Sequence, residues 1–171
     1  MSIKVSINDT ELRPALEALQ DAIGNPDPAL RQIGEYLVDS TRQRFQTESA
    51  PDGSPWAANS DVTLDNYTNR FKTSFTKTGK RSKAGRERRA NKKVGTGESK
   101  QLQRQIFYNV RDGELEVGSP LIYAGTFHYG ADKGQYGPRT PWGDIPARPF
   151  LGISDEDERQ VLAIVEEHVL G

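Results

Sequence analysis

The chain has 171 residues, with 23 Lys and Arg against 24 Asp and Glu, for a formal net charge of −1. That length suits one domain, and the balance excludes a partner selected by bulk charge alone. There are no cysteines, which removes disulfides, thiolate metal sites and a cysteine nucleophile. No apolar run nears the ~18 residues that a bilayer span needs.

The average hides a division. Residues 1–60 carry 5 basic and 9 acidic residues, 61–110 carry 13 and 4, and 111–171 carry 5 and 11. A basic middle between two acidic flanks needs a physical reason. Apolar content of 34% and a mean hydropathy of −0.74 point to exposed loop, or to segments that order on assembly. The absence of cysteines is compatible with folding in the cytosol, and the first residues, Met1 to Val5, lack the apolar stretch of a signal peptide.

In chain order, Ile3, Val5 and Ile7 alternate with polar residues and predict a short half-buried strand. Asn8-Asp9-Thr10 offers helix caps. Leu12, Leu16, Leu19 and Ile23 share a helical face, and Pro14 places the regular helix near Arg13 onward, up to the stop at Gly24-Asn25-Pro26. Asp27-Pro28 predicts a second start, with Asp27 as N-cap. Leu30, Ile33, Leu37, Val38, Thr41 and Phe45 then continue at helical spacing to about residue 48. Pro51-Asp52-Gly53 is strong turn chemistry, and Trp56 is expected to dock back on the core.

Residues 57–100 show no sustained period. Between Arg70 and Lys93 there are eleven Lys or Arg and one acid, Glu87. The predicted form is a long basic loop insertion. It is either a solvated mobile segment or an electrostatic arm that meets phosphate or an acidic protein surface. No recognition helix or RNA-binding motif accompanies it, so charge and not base readout is the signal.

Residues 105–110 and 114–118 read as strands joined at Asp112-Gly113, a hairpin signal, with Ile106, Tyr108, Val110, Leu115 and Val117 on the core face. Tyr123 to Gly130 predicts one or two helical turns. His128 lacks a nucleophile or companion ligands and is expected as a packed or surface histidine. Residues 131–144 read as loop. Ile145-Pro146-Ala147-Arg148-Pro149 is held extended by its prolines and delivers Phe150, Leu151 and Ile153 to the core. Arg148 there is either solvated on a rigid connector or presented to a partner. Ser154 caps a last helix whose first turn is acidic and whose apolar face is Val161, Leu162, Val165 and Val169. No nucleophile–base pair and no paired metal ligands stand out, so no enzyme, cofactor or metal is expected.

Four pieces in this order resemble the phage virion morphogenesis family, the tail-completion proteins of Mu-like and related long-tailed phages and prophages. They are Arg44-Phe45 with Pro51-Asp52-Gly53-Ser54-Pro55-Trp56; Val117-Gly118-Ser119 leading to Tyr123-Ala124; Phe127-His128-Tyr129-Gly130; and Ile145 to Gly152 with the acidic helix after it. The likeness spans nearly the whole chain except about 60–100. It implies an α+β fold, a small antiparallel or mixed sheet packed against two or three helices. With the residues' own reading this gives a single domain (residues 1–171) with a flexible basic insertion at about 57–100, longer and more charged than the family leads one to expect.

The resemblance further implies a structural protein of the virion neck, assembled in the host cytoplasm. It would form a ring, expected as a hexamer, at the head-proximal end of the tail. Its partners would be tail tube or sheath proteins, head connector proteins and, non-specifically, DNA in the channel. Ring contacts would fall on Arg148, on Lys80, Arg81, Lys83, Arg86, Arg88, Arg89, Lys92 and Lys93, and on Asp155, Glu156 and Glu158. A head-side connector or stopper ring, and a nucleic-acid-binding accessory protein acting through residues 70–93, are the alternatives.

Overall fold

The computed structural model describes residues 12–96, 99–137 and 144–170. The strand and caps expected over residues 3–10 lie outside them. Seven α-helices and a two-stranded antiparallel sheet are present among the described residues: α1 Leu12–Ile23, α2 Asp27–Thr47, α3 Asp61–Asn69, α4 Lys83–Ala90, α5 Gln101–Arg104, β1 Phe107–Arg111, β2 Glu114–Gly118, α6 Ala124–Tyr129 and α7 Asp155–Leu170. A 3-10 turn, Lys72–Ser74, lies between α3 and α4. The α+β class holds.

The long helix α2 is the axis. Ala29, Leu30, Ile33, Gly34, Val38, Thr41, Arg44 and Phe45 make one buried stripe. The helix begins differently from the expected cap. Pro26 occupies the N-cap position without a side-chain bond, Asp27 is the first helical residue, and its N–H donates to Asn25 Oδ1 at 3.2 Å. Asp27 therefore serves as a first-turn acid facing the helix dipole.

The hairpin packs on α2 with the predicted turn. Asp112 and Gly113 both take positive φ, 54° and 74°, the backbone of a type I′ turn, and Arg111 pairs with Glu114. Close approach is possible because residue 34 is glycine: a Cβ there would stand 2.5 Å from the Tyr108 ring. One helical turn, α5, ends just ahead of the hairpin, and β1 begins at Phe107, two residues later than the strand expected from 105.

Two apolar clusters flank α2. One gathers Leu12, Ala29, Ile33, Val161, Ile164 and Val165, where α7 packs against both α1 and α2. The other centres on Phe45, Trp56, Phe127 and Phe150. Phe45 lies 5.1 Å from Trp56, 5.5 Å from Phe150 and 6.0 Å from Phe127, between ring centroids. Such ring pairs add roughly 0.5–1.5 kcal/mol each beyond burial. Trp56 docks as expected, its Nε1 donating to Pro149 O at 2.8 Å.

The 145–153 stretch delivers Phe150 and Leu151 to this core. It is tied to α6 by Arg148 N–H to Phe127 O (3.0 Å) and by the Phe150 and Leu151 N–H groups to His128 Nδ1 (3.3 and 3.4 Å). His128 is thus a packed histidine. Burial lowers its pKa to about 4, so its ring is neutral and accepting.

A buried ion pair joins α2 to α7. The Arg44 guanidinium donates to the Asp157 carboxylate and to the carbonyls of Phe150 (2.9 Å) and Gly152 (3.0 Å). Asp157 also accepts from Ser40, from Ser154 N–H (2.8 Å) and from Ser154 Oγ (2.7 Å), while its own N–H donates to Ser154 Oγ at 3.2 Å. The expected serine cap is therefore a reciprocal capping box with a salt bridge built into it. Burial alone would raise the Asp157 carboxyl; the Ser40 and Ser154 bonds and the Arg44 charge outweigh it and hold the carboxyl below the usual range.

Candidate assembly interface

Residues 57–96 are not the featureless loop that the missing periodicity suggested. They form a small lobe in which α3, the 3-10 turn and α4 pack chiefly on one another. Ser60 caps α3 by accepting the Thr63 N–H, and Ser82 caps α4 by accepting the Gly85 N–H at 3.0 Å. The two helices close tightly on the turn. A Cβ on Gly85 would lie 2.2 Å from Ser74 O, so this position tolerates no side chain without moving the backbone. Periodicity failed here because the segments are too short to show it and bury Thr68, Ser74 and Gly85 where apolar residues would normally mark a core.

Charge takes the place of apolar packing. Asp61 and Asp65 lie one turn apart on α3. Arg89 donates to both carboxylates, and Arg81 donates to Asp65 Oδ1 at 2.8 Å and Thr68 Oγ1 at 3.0 Å. The Arg81 hydrogen bond, with the Arg89 charge beside it, holds the Asp65 carboxyl below its ordinary range. Arg88 donates to Thr73 Oγ1 and Ser74 Oγ, both at 3.1 Å, and its guanidinium covers the Phe71 ring at 4.4 Å.

The root of the lobe is pinned to the body. Lys92 is half-buried. It donates to the carbonyls of Lys93 and Thr96 and lies 5.2 Å from the Tyr67 ring centre, and burial lowers its pKa. Lys93 Nζ reaches Gln46 O at 2.6 Å, Val94 N–H donates to Glu48 Oε2 at 3.2 Å, and Asn59 Nδ2 donates to Lys92 O at 3.1 Å.

Arg148 belongs to the same root. Its expected place, solvated or turned to a partner, is corrected. It is 8% exposed, and it donates from Nε to Ala57 O at 2.8 Å and from Nη2 to Ala58 O at 3.0 Å. Its guanidinium also lies 5.7 Å from the Phe127 ring centre. Two carbonyls that lead into α3 are orphaned by the chain's exit from the body, and Arg148 satisfies them.

The expected interface cations therefore separate. Arg81, Arg88, Arg89, Lys92, Lys93 and Arg148 are engaged within the chain. Lys80, Lys83 and Arg86 are exposed: Lys80 has no side-chain partner among the described residues, Lys83 lies 3.9 Å from Glu87, and Arg86 donates to Arg81 O at 3.0 Å. Lys72 and Lys77 are exposed beside them. On α7, Asp155 is exposed, Glu156 pairs with Arg159 at 2.5 Å, and Glu158 is half-buried in the first turn. No ion pair links α7 to the lobe within the chain among the described residues. The acids Asp61 and Asp65, which fix where the cations go, went unread; their one-turn spacing just ahead of a basic run was the available signal.

Among the described residues there is no group of three or more His, Asp or Glu side chains placed to hold a metal ion, and no helix is long and apolar enough to cross a membrane. The sequence model of the phage virion morphogenesis family matches residues 7–170. No curated protein and no solved structure matches the chain.

Proposed function

The chain belongs to the phage virion morphogenesis family, and from that premise we propose that it is a structural subunit of the phage neck. It forms a ring at the head-proximal end of the tail, completes the tail and helps join it to the head. The observation that carries this reading is the division of charge. A basic lobe with outward lysines and a helix with an acidic outer face sit on one chain of net charge −1. Subunits of a ring meet through unlike surfaces, one face of a copy against a different face of the next. Opposite charges on separate faces serve that geometry and fix its register. Its partners are then further copies of itself, the tail tube and the head connector, and its work is non-enzymatic.

The test is genetic and visual. Phage lacking this chain should accumulate filled heads and separate tails, and a labelled copy should be seen at the head-proximal tail end once function is restored. Joined, infectious particles made without the chain would overturn the reading, as would catalytic turnover by a monomer that never enters a particle.

A further inference from the structure

Two charged surfaces stand out among the described residues whose side chains make no polar contact within the chain. The first is on and around the 76–80 turn of the lobe. Lys72, Lys77 and Lys80 are exposed there, and their ammonium groups have no partner among the described residues. Arg81, Arg88 and Arg89 complete the lobe, so these three lysines are not needed to hold it. The second surface is the C-terminal half of α7. Glu166 and Glu167 are exposed and likewise unpaired among the described residues, next to Val169 and the 82% exposed Leu170.

Local structure does not account for these acids. Asp155 and Glu156 favour their own helix by sitting at its N-terminus, whereas acids at a helix C-terminus face the negative end of the dipole. The hairpin turn is a poorer counter-surface, because Arg111 stands next to Asp112 and opposite Glu114. A polyanion is a poorer occupant for the lysines, since no recognition helix or RNA-binding motif accompanies them and most of the basic side chains of the lobe are spent on its own aspartates, hydroxyls and carbonyls.

We propose that the 72–80 end of the lobe docks on the C-terminal half of α7 in a second copy of this chain, Lys72, Lys77 and Lys80 meeting Glu166 and Glu167 and covering Leu170. This rests on the ring reading and names the surfaces that build the ring. The contact is directional: each copy offers its lobe to one neighbour and its helix to the other.

The experiment is a charge swap read by sedimentation velocity at low salt, with circular dichroism as the check on folding. Lys77→Glu/Lys80→Glu and Glu166→Lys/Glu167→Lys should each weaken self-association about tenfold or more, because like charges then face each other. An equimolar mixture should recover mixed complexes, because the reversed lobe of one variant then meets the reversed helix of the other and the wild-type lobe of the second meets the wild-type helix of the first, so both junctions are again complementary. The milder Lys77→Gln/Lys80→Gln should fall between. Wild-type association that both reversals leave unchanged would sink this contact and spare the ring reading. A wild type that stays monomeric at every concentration would sink the ring reading itself. Loss of duplex DNA binding by Lys77→Glu/Lys80→Glu with self-association intact would reassign the lysines to nucleic acid.

Discussion

In the body of this chain the largest side chains shut off from water are Phe45 and Phe150, with Asp157 and Ser119 also fully buried; in the lobe they are only Thr68 and Ser74 among the described residues. The body is held by rings in contact and by one buried ion pair, the lobe by arginines reaching two aspartates and a handful of hydroxyls. Body contacts are shielded from salt, and lobe contacts sit near water where screening reaches them. The same chain should therefore carry a scaffold little affected by ionic strength and an appendage that salt loosens slightly.

The largest effects should appear where the body is broken. Phe45→Ala should cost about 3–5 kcal/mol by leaving a void between Trp56, Phe127 and Phe150. Arg44→Ala or Asp157→Asn should cost about 3–5 kcal/mol, because either leaves a buried group of the pair unmatched. Urea midpoints measure both. If Arg44→Ala proved neutral, the pair would be an ornament of α7 and not its anchor.

Acid should act on the body next. His128 has its pKa lowered from 6.5 to about 4, so the unfolded chain binds the extra proton first. Stability is full above about pH 6.5 and falls as pH drops from there to about 4, by up to about 3 kcal/mol. The Asp157 carboxyl, also held low, adds a further loss below the ordinary carboxylate range. His128→Gln should flatten the upper part of this profile; an unchanged slope would place the titrating group elsewhere.

Arg148→Ala lies on the boundary between the two regions. Loss of its bonds to Ala57 and Ala58 should cost about 2 kcal/mol and should raise hydrogen exchange in the lobe more than in α2. Equal loosening everywhere would make Arg148 part of the body. The smallest effect is salt alone. One-molar NaCl should speed exchange over residues 61–90 by an amount worth less than about 1 kcal/mol and leave the aromatic core untouched.

The body was legible in the sequence because its signals are apolar and periodic. The α2 stripe, the Asp112-Gly113 turn, the Trp56 anchor and the Ser154 cap are all local patterns that burial then satisfies. Arg44 was within reach too, since it falls on the buried stripe three residues after Thr41, where a charge needs a partner. What no local pattern shows is which partner: Asp157 is distant in sequence and looked like one more first-turn acid. The lobe was illegible for the opposite reason. Its helices are short, its buried groups are polar, and its order comes from pairings between Asp61, Asp65, Arg81 and Arg89 that a count of charges reads only as excess. Arg148 misled in the same way, since a lone arginine between prolines gives no hint that two main-chain carbonyls need it.

The most direct test of this account is hydrogen exchange on the wild-type chain, free and assembled. Protection should rise over residues 72–86 and over the last turns of α7, with the α2 core unchanged. Protection that appeared instead on the hairpin or α6, with the lobe exchanging as in the free chain, would contradict it.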